Sequence, residues 1–184
     1  MPILGSLASS VQKITGSFES IATATVGAGS SNFVEFTSIP STYTHLQIRG
    51  VSRSTDSSQF FCQFNGDTGT NYTFHTVGAN GSTMEPYGVV SQTSLQIGKS
   101  NYFASTTTML GAGICDIFDY KNTNKYKTVK VLAGSDTNGT ANQNVALMSG
   151  VWLSTSAITS IKIFPSSPPF TQYSSFALYG IKGA

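Results

Sequence analysis

Along most of the chain, apolar and polar residues alternate with a period of two. In YTHLQIRGVS (43–52), Leu46 and Ile48 fall on one face and His45, Gln47 and Arg49 on the other. That is the pattern of a half-buried strand. NFVEFTSI (32–39) alternates in the same way and stops at Pro40, and FESIATATV (18–26) stops at Gly27-Ala28-Gly29. SQFFCQF (58–64) is followed by Asn65-Gly66-Asp67. An Asn-Gly pair between apolar runs is a strong hairpin signal, because both residues tolerate positive φ. Further strands are expected at 71–77, 88–97, 107–118, 125–134, 144–153, 158–165 and 174–182. Turn-forming clusters such as Gly78-Ala79-Asn80-Gly81 and Ser166-Ser167-Pro168-Pro169 separate them. No segment combines helix caps with a 3.6-residue period over ten residues. Ten or eleven short strands imply an all-β fold, a two-sheet antiparallel β-sandwich of jelly-roll type, with an up-and-down barrel as the alternative. Trp152 is expected between the sheets, and SFALYGI (175–181) as a central strand.

Residues 1–16 stand apart. Ile3, Leu4, Leu7, Val11 and Ile14 are spaced three or four apart, behind Pro2. The segment is too short for a core of its own. It reads as an N-terminal arm that docks on its own body or on a neighbour, leaving 17–184 as the sandwich domain.

Composition narrows the function. Of 184 residues only 10% are charged, with Lys+Arg 10 against Asp+Glu 8 and a net charge of +2. No basic excess exists to neutralise phosphates, so nucleic acid is not an expected partner. No run of about 18 apolar residues exists to span a membrane, and the first 16 residues lack the pattern of a secretory signal. The chain is 39% hydrophobic and 11% aromatic, which argues against disorder. So little charge suits a surface of hydroxyls and amides, or one covered by identical copies.

Candidate chemistry is thin. His45, Cys62, His75 and Cys115 are scattered without the spacing of a zinc site. The two cysteines are expected as buried free thiols, with one bridge as the alternative. No serine lies in a G-x-S-x-G elbow. Asp116 and Asp119, three apart in a strand, point to opposite faces. NGDTGTN (65–71) has a single carboxylate, fewer than a calcium loop uses, and reads as a turn. The Asn-x-Ser/Thr triplets at Asn71, Asn80 and Asn138 are expected by chance in so Asn/Ser/Thr-rich a chain. No catalytic residue, metal or cofactor is expected. Lys125, Lys127 and Lys130 form a charged stretch, read either as a solvated edge strand or as a contact with an acidic neighbour.

Five blocks in order carry a resemblance: FTSIPSTYTHLQIRGVSR (36–53), FNGDTGTNYTFH (64–75), DIFDYKNTNKYKTVK (116–130), SGVWLSTSAITSIKIF (149–164) and SSFALYGIKG (174–183). Together with PILG (2–5), they resemble virion structural proteins of tailed bacteriophages over about residues 2–183. The resemblance implies a particle component without catalysis, assembled in the bacterial cytoplasm and exposed on the virion. It carries no functional residues across and fixes no location. The leading expectation is a capsid decoration or cement protein, a homo-oligomer (a trimer favoured) bound to the major capsid protein or another virion protein. The alternative is a tail or fibre component that contacts a host glycan through loops 78–88 and 134–144, with Tyr87, Tyr102 and Phe103 as candidates. A small depolymerase is the third reading, which the few acids and histidines argue against.

Overall fold

The computed structural model describes residues 16–54, 58–80, 82–100, 110–136, 144–167 and 169–183. All of its regular elements are strands: β1 (Phe18–Thr25), β2 (Ser30–Ser31), β3 (Val34–Phe36), β4 (His45–Ser52), β5 (Ser58–Phe64), β6 (Tyr72–Ala79), β7 (Tyr87–Gln92), β8 (Leu95–Ser100), β9 (Gly111–Ile117), β10 (Lys127–Ser135), β11 (Asn144–Trp152), β12 (Ile161–Pro165), β13 (Phe170–Thr171) and β14 (Ser175–Ile181). Every pairing is antiparallel. An eight-stranded sheet runs in the order β1-β14-β4-β9-β10-β11-β6-β7. A four-stranded sheet, β3-β12-β5-β8, packs against it, and β13-β2 forms a small ribbon. The chain is an all-β, antiparallel sandwich.

The alternation read from the sequence is the alternation that builds the core. On β10, residues 127, 129, 131 and 133 are buried and their neighbours exposed; on β11 the same holds for 144, 146 and 148. Inward residues of both sheets, among them Leu46, Ile48, Cys62, Val129, Ile161 and Leu178, form one cluster. Cys62 and Cys115 are buried and unbonded, and burial pushes both thiols well above their ordinary value. Tyr43 leads into β4 and lays its ring on Gly180, where any Cβ would come within 2.3 Å of it. β14 lies between β1 and β4, inside the sheet as expected.

The expected strand 88–97 is two strands. The chain leaves the large sheet after Gln92 and enters the small one at Leu95. Asn65-Gly66 does form the expected tight turn, with φ of 53° and 67° and the Asp67 N–H donating to the Phe64 carbonyl at 2.9 Å. It is not a hairpin, however. β5 pairs with β12 and β8, and β6 with β11 and β7, so the turn carries the chain from one sheet to the other.

Side chains fix that corner. Asn65 accepts from the N–H groups of Thr159 (2.8 Å) and Ser160 (3.1 Å) and donates to the Ala157 carbonyl at 2.8 Å. The Asp67 carboxylate accepts from the Trp152 indole at 2.7 Å, the Gly69 N–H at 2.8 Å and the Asn71 amide at 3.0 Å. The Tyr72 hydroxyl donates to the Asp67 carbonyl and accepts from the Phe64 N–H. Trp152, 2% exposed, stacks on Tyr72 and meets Phe64 edge-on, so it lies between the sheets.

Burial pushes the Asp67 carboxyl up, but its donors from Trp152, Asn71 and Gly69 outweigh this and leave it below the ordinary value. A carboxylate held low adds stability above its unfolded pKa and loses it as pH falls through the folded one. Asp67→Asn should therefore cost about 1–3 kcal/mol at neutral pH. The gap to the parent chain should close below about pH 4. Urea unfolding of both chains across that range checks it; a gap that stayed constant with pH would contradict the assignment.

Candidate interaction surface

The register of the large sheet sets what its outward face carries. Reading across the strands, Arg49 pairs with Ile114, Ile114 with Leu132, Leu132 with Leu147 and Leu147 with Val77. One step along, Val51 pairs with Ala112, Ala112 with Gly134, Gly134 with Val145 and Val145 with Ala79. Two adjacent rows over five strands are thus almost wholly apolar, on the side away from the core. Leu132 and Val145 leave 55% and 56% of their surface uncovered. Isolated exposed aliphatics are ordinary, whereas a contiguous patch marks a contact surface.

The next row is polar: Gln47, Asp116, Lys130, Ser149 and His75 in register. At one end of it the groups hold one another. The Gln47 amide donates to Asp116 at 2.6 Å and accepts from Arg49 at 2.7 Å. The Arg49 guanidinium lies over the rings of Phe18 (5.0 Å) and Tyr179 (5.5 Å). Two shallow troughs flank the central aliphatics. One, of about 320 Å³, lies over Val51, Ala112 and Ala177; the other, of about 470 Å³, lies over His75, Phe118 and Leu147. A void inside the sandwich beneath Ile48, Phe60 and Phe176 is only about 40 Å³, room for a few waters at most. Among the described residues, no three of His, Cys, Asp and Glu come together as metal ligands would.

The lysine stretch divides three ways. Lys130 is exposed on the outer face of β10, an interior strand of the sheet and not an edge. Lys125 is exposed and pairs with Asp119 at 2.5 Å. This contact holds the Asp119 carboxyl below its ordinary value against a smaller opposing effect of burial. Lys127 cannot meet an outside partner, because it is fully buried. Its ammonium donates to the carbonyls of Asn122 (2.5 Å), Lys125 (2.9 Å) and Thr155 (3.1 Å), tying the 119–126 loop to the segment after β11. Burial, helped by nearby Lys125, lowers its pKa, while Asp119 opposes.

The other sequence candidates are placed as follows. The arm residues Pro2, Ile3, Leu4, Leu7, Val11 and Ile14 lie outside the described residues, as do Tyr102 and Phe103. Tyr87 is half-buried, and its hydroxyl donates to Gln96 at 2.5 Å, so it is committed to the fold. His45 accepts from the Asp119 N–H at 2.9 Å. His75 is exposed, with its ring over Gly88. The aliphatic rows were not among the candidates. Their signal was present as apolar residues on both faces of VKVLAG (129–134) and NVALM (144–148), a pattern beyond what one buried face requires.

Lys127→Met keeps the apolar stem and removes the donor of three carbonyls. It should cost about 2–4 kcal/mol in denaturant unfolding, whereas Lys130→Met should change stability by less than about 0.5 kcal/mol. Equal effects would contradict the structural role of Lys127.

Compared with protein-family models, with curated proteins and with solved structures, the chain matches none of them.

Proposed function

We propose that the chain is a non-enzymatic structural subunit of a tailed-bacteriophage particle. It acts as a decoration or cement protein that binds the outer capsid shell as a homo-oligomer. The observation that carries this reading is the uncovered aliphatic face of the large sheet: two apolar rows over five strands, on a chain with very little charge. Such a face is unfavourable in water and favourable against another protein. The five blocks that resemble phage virion proteins supply the kind of particle. The strand order also supports a scaffold. β1-β14-β4-β9 facing β3-β12-β5-β8 fits jelly-roll connectivity, and the hairpins β6–β7 and β10–β11 widen one sheet from four strands to eight.

The mechanism is mass action. A subunit that binds assembled shell and not free capsid protein shifts the equilibrium toward the shell. Fifteen residues precede Gly16, and an extended segment of that length reaches about 50 Å, enough to cross from one capsomer to the next. In this reading Pro2, Ile3, Leu4, Leu7, Val11 and Ile14 make the contact.

Copy number on purified particles tests the role. Gel densitometry should give hundreds of copies; a dozen or fewer would place the protein in the tail, and none would remove it from the virion. Deleting residues 2–16 should abolish binding to emptied capsids while the body still folds, as judged by circular dichroism and thermal unfolding. Undiminished binding would contradict the role of the arm.

A further inference from the structure

We infer that the outer face of the eight-stranded sheet is a two-fold interface, covered by the same face of a second copy, with the axis running along β10 beside Leu132. This rests on the structural-subunit reading and names the partner of its uncovered face.

Size is the first argument. The seven strands from β14 to β7, centred on β10, lie about 4.8 Å apart and run about seven residues, which makes a face of roughly 29 by 24 Å, or about 700 Å². A stable interface takes about 800 Å² from each partner. All seven of these strands are needed to approach that area, and a second copy offers a matching face.

Symmetry is the second. β10 is the middle of the five strands that carry the apolar rows. A two-fold axis along it exchanges β9 with β11 and β4 with β6 across the interface. Leu132 then meets the partner's Leu132, and Ile114 meets the partner's Leu147. Every central aliphatic finds an aliphatic. In the polar row, Lys130 meets the partner's Lys130 on the axis, and each Asp116, opposite the partner's Ser149, lies one strand spacing away and flanks the two ammonium groups. Gln47 and Arg49 are satisfied within their own chain before the faces meet. No bare carboxylate has to be buried, the feature that most often defeats such contacts. Sheets that pack face to face keep their strands within about 30°, so this correspondence holds best close to Leu132. A patch that meets its own copy closes a pair. The three-fold grouping expected from the sequence would need a different surface.

Engineered cysteines test the axis. Cys62 and Cys115 are buried and remain inert under native conditions. Leu132→Cys, at an exposed position, should give a covalently linked dimer with a short bismaleimide, because facing sheets stand about 10 Å apart, beyond the reach of a direct disulfide. Phe33→Cys and Tyr173→Cys, at exposed positions off the face, should stay monomeric on a denaturing gel. A complementary pair tests the register. Ile114→Glu and Leu147→Lys should each weaken self-association at least about tenfold in sedimentation equilibrium. Their mixture should recover it, because the introduced carboxylate of one copy then faces the introduced ammonium of the other.

Absence of the Leu132→Cys crosslink, or of recovery in the mixture, overturns the geometry. Loss of pairing on deletion of residues 2–15 would make the arm the occupant and also overturn it. A wild-type chain that stays monomeric but binds particles overturns the interface and leaves the virion role standing. A dimer that never joins particles does the reverse.

Discussion

Cross-strand register through β4, β9, β10, β11 and β6 decides both faces of the large sheet at once. With Leu132 opposite Ile114 and Leu147, Val129, Val131, Cys115 and Met148 point into the core and the aliphatic rows point out. A slip of one residue would exchange the faces. It would put Lys130 and Asp116 inside and expose the residues that now hold the two sheets together. The inward set is large enough to forbid that slip, so the outward set is fixed as a consequence. An apolar outer face is unfavourable in water and is stabilised by cover.

Polar groups inside the sandwich follow the opposite rule, in that they find partners within the chain. Lys127 is held by three carbonyls, Asp67 by an indole, an amide and a backbone N–H, and Gln96 accepts from Tyr87 and donates to the Gly98 carbonyl. These contacts lie at corners and loop ends, where the chain passes between sheets or leaves one. The hydrophobic pattern specifies strands but not corners. Here the corners are specified by a few polar side chains whose burial is stable only in one arrangement. The outer face carries few charges, and its one carboxylate in the polar row, Asp116, already accepts from Gln47. It can therefore be covered without a large desolvation cost.

Much of the fold was legible in the sequence because period-two alternation and turn chemistry are local. The strands around Leu46, Val131 and Leu178 and the buried Trp152 follow from that; the two cysteines, expected as free thiols with one bridge as the alternative, are unbonded. What was not legible depended on long-range contacts. Asn65-Gly66 has the same local conformation in a hairpin and in a crossover between sheets; Trp152 and the 157–160 segment, some 90 positions on, decide between them. The run 88–97 looks continuous because the change of sheet at Thr93-Ser94 leaves the alternation almost intact. Lys127 reads as a surface lysine because its three carbonyl partners are backbone groups, without any residue signature. The aliphatic face was hidden for a related reason. Ile114, Leu132 and Leu147 are unremarkable within their own strands and become a patch only when register sets them side by side.

If the subunit works as proposed, the outer face of the large sheet is covered in the assembly. Hydroxyl-radical footprinting of intact particles, read by mass spectrometry against the free chain at high dilution, addresses it most directly. Leu132, Leu147 and Val145 should be protected on the particle, while Phe33 and Tyr173 are labelled as in the dilute chain. Equal labelling of Leu132 in the two states would contradict it.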